Sequence, residues 1–254
     1  MLFIFRKLRR SFFLPGKVTT YPAYALVESP VIRYLAAISW LLFLPGFALA
    51  RSIPLDDMEA LHLHKVVAET VTHDGRTALR VTEAEEFKND GPDKLAVIKG
   101  INFQNGVIEV DVAGRPTEGS NAGARGFIGV AFHINADVSE YECIYLRPTN
   151  GRANDQLRRN HSSQYVSYPD FPWRRLREAE PGKYESYVDL VPGKWTPIKI
   201  EVSGTTAKLF VHGAEQPTLI VNDLKLGEVG GAIALRIGPG TEGYFSNLRV
   251  SIDP

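Results

Sequence analysis

The side chains best suited to chemistry in this chain are concentrated between residues 141 and 187. This stretch brings Tyr, Trp, Arg, His, Asn and Gln together, whereas the flanking sequence alternates short apolar segments with Gly, Pro and Asn. A long connection dense in aromatic and hydrogen-bonding groups is where a β scaffold usually carries its function. A sugar site uses the same groups, so we predict a carbohydrate ligand for this region.

Six residues of the stretch are predicted to contact the ligand: Tyr145, Arg147, Asn160, Gln164, Tyr165 and Trp173. An arginine donates two parallel hydrogen bonds to one acceptor, and side-chain amides bond to sugar hydroxyl groups. Tyrosine and tryptophan rings stack on the apolar face of a pyranose ring. The alternative explanation is that these side chains satisfy the backbone of a long loop.

The strand pattern around Tyr145 indicates which of these six residues are most exposed to a ligand. Side chains alternate between the two faces of a strand, so Tyr145 and Arg147 share one face while Ile144 and Leu146 share the other. The two aliphatic side chains favour the core, which predicts that Tyr145 and Arg147 lie on the outer, ligand-facing surface. Replacing an exposed Arg147 should then cost little stability. Glu142 is left at the edge of the strand.

Two residues are candidates for catalysis. His161 is the one side chain of the stretch that titrates near neutral pH, which makes it the best candidate for a general base. Glu142 is the second candidate. A packing role is the alternative for both.

The sequence offers little for a metal or a cofactor. His62 and His64 share a strand face, but no third ligand follows at a clear spacing, so we predict an edge strand and not a zinc site. The sequence contains no calcium-loop pattern of alternating acids. We therefore assign no metal ligand, and the metal dependence and the identity of any cofactor stay open.

The first 50 residues have the features of an export leader. Arg33 precedes an apolar run at 34–47, which is followed by Ala-Leu-Ala at 48–50. This order is typical of a secretory signal, so we predict cleavage before Arg51 and a periplasmic or secreted protein. The run is at the short limit for a spanning helix, and an uncleaved membrane anchor is the alternative. We interpret residues 1–30 as an overextended gene start.

The composition after residue 50 limits the classes of function. The 204 residues from 51 to 254 suffice for one large sandwich and are too few for two ordinary domains. They carry 23 basic and 28 acidic side chains, which gives a net charge of −5. This domain therefore lacks the excess of positive charge that is typical of proteins that bind nucleic acid. Cys143 is the single cysteine, so no intrachain disulfide is possible and a small buried apolar role is predicted.

Strand patterns dominate these residues. Apolar and polar residues alternate with period two at 106–112 and 197–202, and similar segments recur at short spacing. One short helix pattern spans residues 173–179. Many strands and almost no helix predict an antiparallel sandwich or barrel. The predicted core consists of Ile108, Val110, Ile128, Val130, Phe132, Ile144, Ile198, Ile200, Leu209, Val211, Ile233, Leu235 and Leu248.

The succession of strands resembles the concanavalin A-like lectin and glucanase jelly roll. The segment GKWTPIKIEVSGTTAKLFVHG looks like a hairpin of that superfamily, and GAIALRIG with GYFSNLRV looks like its closing strands. Within the superfamily the sequence is most similar to the 3-keto-disaccharide hydrolase, or glycosyl-hydrolase-like, family. The resemblance covers about residues 60–252 and implies a two-sheet antiparallel jelly roll that acts on carbohydrate.

The acids of laminarinase-type relatives are incomplete in this chain. Those relatives place carboxylates in an E-x-D-x-x-E pattern; Glu109 and Asp111 fit it, but position 114 is Gly. Strand alternation already explains the pair as a solvent-facing surface. Three functions stay open: cleavage of a glycoside, non-catalytic glycan binding, and a structural or interaction module.

Overall fold

A computed structural model describes residues 50–88 and 90–253. The predicted leader, apart from Ala50, lies outside the described residues. The strands are β1 (Arg51–Ser52), β2 (Leu61–His64), β3 (Val66–His73), β4 (Arg76–Glu83), β5 (Lys94–Phe103), β6 (Gly106–Pro116), β7 (Ile128–Ile134), β8 (Tyr141–Leu146), β9 (Ser163–Tyr168), β10 (Glu185–Ser186), β11 (Thr196–Ser203), β12 (Thr206–Val211), β13 (Leu219–Val221), β14 (Gly231–Ile237) and β15 (Thr241–Ile252). The helices are α1 (Gln156–Asn160) and α2 (Trp173–Ala179), with 3-10 turns at Met58–Ala60, Glu85–Phe87 and Pro148–Asn150.

Two antiparallel sheets form the sandwich. Sheet A has the order β13-β12-β11-β6-β15-β4-β3, with β1 also paired to β15. Sheet B has the order β10-β9-β8-β7-β14-β5-β2. Neighbours within each sheet are often distant in sequence, as in β7-β14-β5, which is the connectivity of a jelly roll. The predicted fold class, an antiparallel jelly-roll sandwich of two sheets, is therefore confirmed.

Period-two alternation builds the core between the sheets. In β6, Ile108 and Val110 are 0% and 2% exposed, while Glu109 on the opposite face is half-buried. Ile200 and Ile198 of β11 lie directly opposite Ile108 and Val110 and extend the same apolar layer. All thirteen predicted core residues are buried, and Cys143 is also fully buried, as predicted.

Residues 141–187 form part of sheet B rather than one long connection. The strands β8, β9 and β10 pair in succession, so the stretch adds two strands beyond β8 to this edge of the sheet. The helix pattern at 173–179 is confirmed as α2. The sequence analysis missed α1, where the side chain of Asp155 caps the helix by accepting a 3.0 Å hydrogen bond from the backbone N–H of Arg158.

Two further findings concern only the part of the chain that the structure describes. No helix there is long and apolar enough to cross a membrane. No group of three or more His, Cys, Asp or Glu side chains is placed there to hold a metal ion. His62 and His64 lie on β2, which is the edge strand of sheet B, as the sequence predicts.

Candidate functional site

Two adjoining cavities lie on the outer face of sheet B, beside α2. They share Gly123, Phe127 and Trp173 in their walls, and their volumes are about 240 Å³ and 250 Å³. We call the two together the Trp173 groove. Its arginine cavity is also lined by Arg125, Arg147, Arg158, His161 and Arg177, and its tyrosine cavity by Pro92, Tyr145, Tyr168 and Arg236. Each cavity alone is smaller than the lower end of small-molecule pockets, about 300 Å³, and the two together exceed it.

Arg147 is the buried centre of the hydrogen bonds beneath the arginine cavity. It lies on the outer face of the sheet, as strand alternation predicts, but it is only 5% exposed, so the expectation of an exposed side chain is wrong. Its guanidinium donates to the His161 carbonyl at 3.0 Å, to Glu185 at 3.2 Å, and at 3.0 Å each to the Tyr145 hydroxyl and the Gln164 side chain. Trp173 of α2 and the segment at His161 lie against this face, which the isolated strand pattern could not reveal.

Gln164 is fully buried within the same network. Its side-chain oxygen accepts from Arg147, and its amide donates to the Tyr165 carbonyl at 2.7 Å and to the Tyr184 carbonyl at 3.2 Å. These bonds use its oxygen and both of its N–H groups. Gln164 therefore orients Arg147 from below, and its predicted contact with a ligand stays a prediction.

Tyr145 forms the floor of the tyrosine cavity. Its ring is 2% exposed and lies under the Arg236 guanidinium at 4.4 Å, with the Phe127 ring edge-on at 6.0 Å. The neighbouring strand supplies Gly129 opposite Tyr145, where an added Cβ would lie 2.2 Å from the Ile144 carbonyl oxygen and 2.5 Å from the Tyr145 Cα. The close approach of β7 and β8 under this ring therefore requires glycine.

His161 is the titratable group at the border of the arginine cavity. Its Nε2 lies 3.4 Å from Glu185, whose other partners are Arg147 and Arg177. Burial lowers the pKa of the imidazole, and the two neighbouring arginines act in the same direction, while Glu185 opposes them. The neutral imidazole is thus favoured near pH 7, which is the form that accepts a proton.

A third cavity of about 530 Å³ lies on the other side of His161. Asn160 lines this cavity together with Glu185 and Tyr187. Asn160 is exposed, and its side-chain oxygen accepts a 2.7 Å hydrogen bond from Gln156. Asn160 is therefore near the Trp173 groove but does not line it.

Glu142 and Tyr165 lie away from the groove, on the core face of sheet B. Both are 0% exposed. The Tyr165 hydroxyl donates a short hydrogen bond to Glu142, which also accepts from the Leu226 backbone N–H at 2.7 Å. Burial raises the pKa of the Glu142 carboxyl, despite these donors. The pair ties sheet B to the segment after β13, so Glu142 is not at an accessible strand edge as expected.

Sequence reasoning missed Arg236, which lies in the apolar segment Ala-Leu-Arg-Ile of β14. Its neighbours Leu235 and Ile237 face the core, so Arg236 must face outward, yet it is only 3% exposed. The sequence signal that could have indicated Arg236 is that it is a single charged residue in an otherwise apolar strand. Arg125 and Arg158 were missed because the first lies in the loop before β7 and the second lies on α1, and only the fold brings them together.

The acidic pair on β6 lies on the opposite, outer face of sheet A. Glu109 is paired across the sheet with Lys199 on one side and Arg249 on the other. Asp111 accepts hydrogen bonds from Arg76 at 3.0 Å and from Asn247 at 2.7 Å. Cross-strand charge pairs of this kind account for the two carboxylates as a solvated sheet surface.

The comparisons with known proteins agree with the fold. No family model matches the sequence, and no curated protein does. A presumed glycosyl hydrolase from Parabacteroides distasonis has a TM-score of 0.51 at 12% identity, over 81% of this chain and 100% of that chain. The carbohydrate-binding module CBM66 from Bacillus subtilis has a TM-score of 0.49 at 10% identity, over 75% and 97% of the two chains. A protein of unknown function with a galectin-like fold, also from Bacillus subtilis, has a TM-score of 0.49 at 10% identity, over 80% and 98%. At such identities the first likeness shows a shared fold.

Proposed function

We propose that this protein binds a saccharide in the Trp173 groove. The observation that carries the proposal is that aromatic rings and many N–H donors line the same groove on the outer face of sheet B. Phe127, Tyr145 and Trp173 supply the rings, and the arginines of the groove supply the donors. Rings bind the apolar face of a sugar, and donors at the rim fix its hydroxyl groups.

Binding is favoured over hydrolysis by the placement of the acids. Most glycoside hydrolases use two carboxyl groups that flank the scissile bond. No carboxylate lines either cavity of the groove among the described residues. Glu185 lies behind Arg147 and Arg177, with its side chain 3% exposed. Glu142 lies on the core face, where a substrate in the groove does not reach it.

Cleavage by a single base is the second candidate function. The contact of His161 with Glu185 favours it, because a carboxylate next to an imidazole orients the ring and stabilises the proton that it takes up. His161→Gln separates the two functions. Loss of product formation with unchanged binding supports catalysis, whereas absence of turnover in the parent protein supports a binding role.

The finer resemblance, to the 3-keto-disaccharide hydrolase family, stays a hypothesis. It is tested by incubating the protein with a 3-keto-disaccharide and measuring the released monosaccharides. Release that depends on His161 supports this family's activity, and no release leaves the binding function as the better description.

Binding itself is tested on an array of neutral and acidic glycans with a matched pair of tryptophan variants. Trp173→Ala removes a wall shared by both cavities. Trp195→Ala removes a half-buried tryptophan directly before β11 of sheet A, where the Trp195 ring contacts His73 and Arg76. We expect Trp173→Ala to lose the signal and Trp195→Ala to keep it. Equal signals from both variants, or no glycan bound by the parent, would refute the proposal.

A further inference from the structure

Arg236 is a buried cation that the protein leaves without a charged partner. Its side chain lines the tyrosine cavity, and the residue is 3% exposed. Nε and Nη1 are buried and have no hydrogen-bond partner among the described residues. Nη2 makes one long hydrogen bond, 3.5 Å, to the Pro92 carbonyl. The ring of Tyr145 lies beneath the guanidinium at 4.4 Å, within the range of a cation–π contact.

The arginine cavity next to it has the same excess of positive charge. Arg125 donates only to backbone carbonyls, those of Ala122 and Ala124, and Arg158 donates to the side chain of Asn150 at 3.3 Å. The buried Nε of Arg158 has no partner. Burial lowers the pKa of Arg125, and the positive charges of Arg158 and Arg147 lower it further.

Glu185 does not balance this charge. Its two oxygens are already used by Arg147 and Arg177, which lie on the far wall of the arginine cavity. Among the described residues, no carboxylate pairs with Arg125, Arg158 or Arg236. A buried charge without a partner is unfavourable in the folded protein, so such groups mark places where a partner arrives from outside.

We propose that the ligand of the Trp173 groove is an acidic saccharide, whose carboxylate or sulfate group binds Arg236 while its ring lies against the aromatic walls. A guanidinium pairs with either anion through two parallel hydrogen bonds. Trp173 and Phe127 belong to both cavities, so one sugar ring beside them brings its substituents towards Arg236 on one side and towards Arg125 and Arg158 on the other. This inference rests on the proposed saccharide function and adds the chemical class of the ligand.

The test compares acidic oligosaccharides with their neutral counterparts by isothermal titration calorimetry on the full chain. Tetragalacturonate is paired with its methyl ester, and a κ-carrageenan tetrasaccharide is paired with its desulfated form. We expect at least one acidic member to bind about tenfold more tightly than its neutral partner, with an affinity that falls as salt increases. The pair that discriminates identifies carboxylate or sulfate as the recognised group.

Arg236→Gln and Arg249→Gln form a matched pair of charge-removing variants. Arg249 is exposed on the outer face of sheet A, so its replacement controls for the loss of one positive charge. We expect Arg236→Gln to lose about tenfold or more in affinity for the acidic ligand and little for the neutral one. Arg249→Gln should change neither. Arg158→Gln provides a second variant at the groove, with the same expected direction, if Arg236→Gln does not fold.

The outcomes separate this inference from the proposed function. Neutral and acidic partners that bind the parent equally well would overturn the acidic ligand and leave saccharide binding intact. Acidic binding that survives both Arg236→Gln and Arg158→Gln would overturn the assignment to this groove. No binding of any of the four oligosaccharides, together with a blank glycan array, would overturn both proposals.

Discussion

The two buried arginines on the outer face of sheet B are expected to respond oppositely to replacement by methionine. Methionine is flexible and unbranched, so it fills much of the space of an arginine without its charge. Arg147 makes four hydrogen bonds to protein groups, and the one to Glu185 is also an ion pair. Arg236 makes one long hydrogen bond and no ion pair within the described residues. The contrast isolates the effect of protein partners at similar depth.

For Arg147→Met we expect a loss of about 3 kcal/mol in the free energy of unfolding. Removing one partner of a buried charge pair costs about 3–5 kcal/mol. The lower end applies because Arg177 still pairs with Glu185 after the replacement. In a domain of this size about 1 kcal/mol corresponds to roughly 2–4 °C, so the melting temperature should fall by roughly 6–12 °C.

For Arg236→Met we expect a small gain in stability. The replacement removes buried N–H groups without partners, which cost about 1–3 kcal/mol. It also removes the contact with the Tyr145 ring, worth about 0.5–2 kcal/mol, so the net gain is about 1 kcal/mol or less. Thermal unfolding of both variants, followed by circular dichroism, measures the difference. A loss for Arg236→Met as large as that for Arg147→Met would refute the view that only Arg147 is a structural cation.

Three further predictions concern other parts of the chain. Burial raises the pKa of Glu142 above its unfolded value near 4.5, so the contribution of this carboxyl to stability is present below that pH and is lost as pH rises through the folded pKa. Glu142→Gln should therefore gain stability relative to the parent protein as pH is raised from 4.5 to 7. A difference in unfolding free energy that stays constant over this range would contradict the prediction. Burial raises the pKa of the Cys143 thiol to about 12, so iodoacetamide at pH 8 should label this thiol only in denaturant. Rapid labelling of the native protein, detected by mass spectrometry, would contradict the burial of Cys143. N-terminal sequencing of protein from the producing cell should begin at Arg51, whereas an intact segment at 34–47 would indicate a membrane anchor.

The alternation of apolar and polar residues was sufficient to predict the strands that face water on one side. β6 and β11 carry charges on one face and aliphatic side chains on the other, and both were predicted from that pattern. β9 was missed because its polar residues are buried by neighbouring strands and helices and do not face water. Its sequence, Ser-Gln-Tyr-Val-Ser-Tyr, therefore has the composition of a loop and the position of a sheet strand.

The sequence predicted the region of the candidate site but not the role of each residue in it. The physical reason is again that neighbouring elements bury polar side chains. Arg147, Trp173 and His161 do lie beside one groove, but Tyr165 of the same stretch points into the core. A strand that becomes covered on both faces turns an expected outer contact into a buried hydrogen-bonding group. Residue type alone does not indicate which of these two roles a polar side chain takes.

The number of partners separates the arginines of sheet B into two roles. The stretch 141–187 supplies acceptors for Arg147, among them the His161 carbonyl and Glu185, so this cation is part of the folded framework. Arg236 is buried to a similar degree but lacks such acceptors, because its Nε and Nη1 have no hydrogen-bond partner among the described residues. A ligand that supplies the missing acceptors would relieve the cost of this buried charge on binding. We therefore expect the unpaired Arg236, more than the paired Arg147, to contact the proposed ligand.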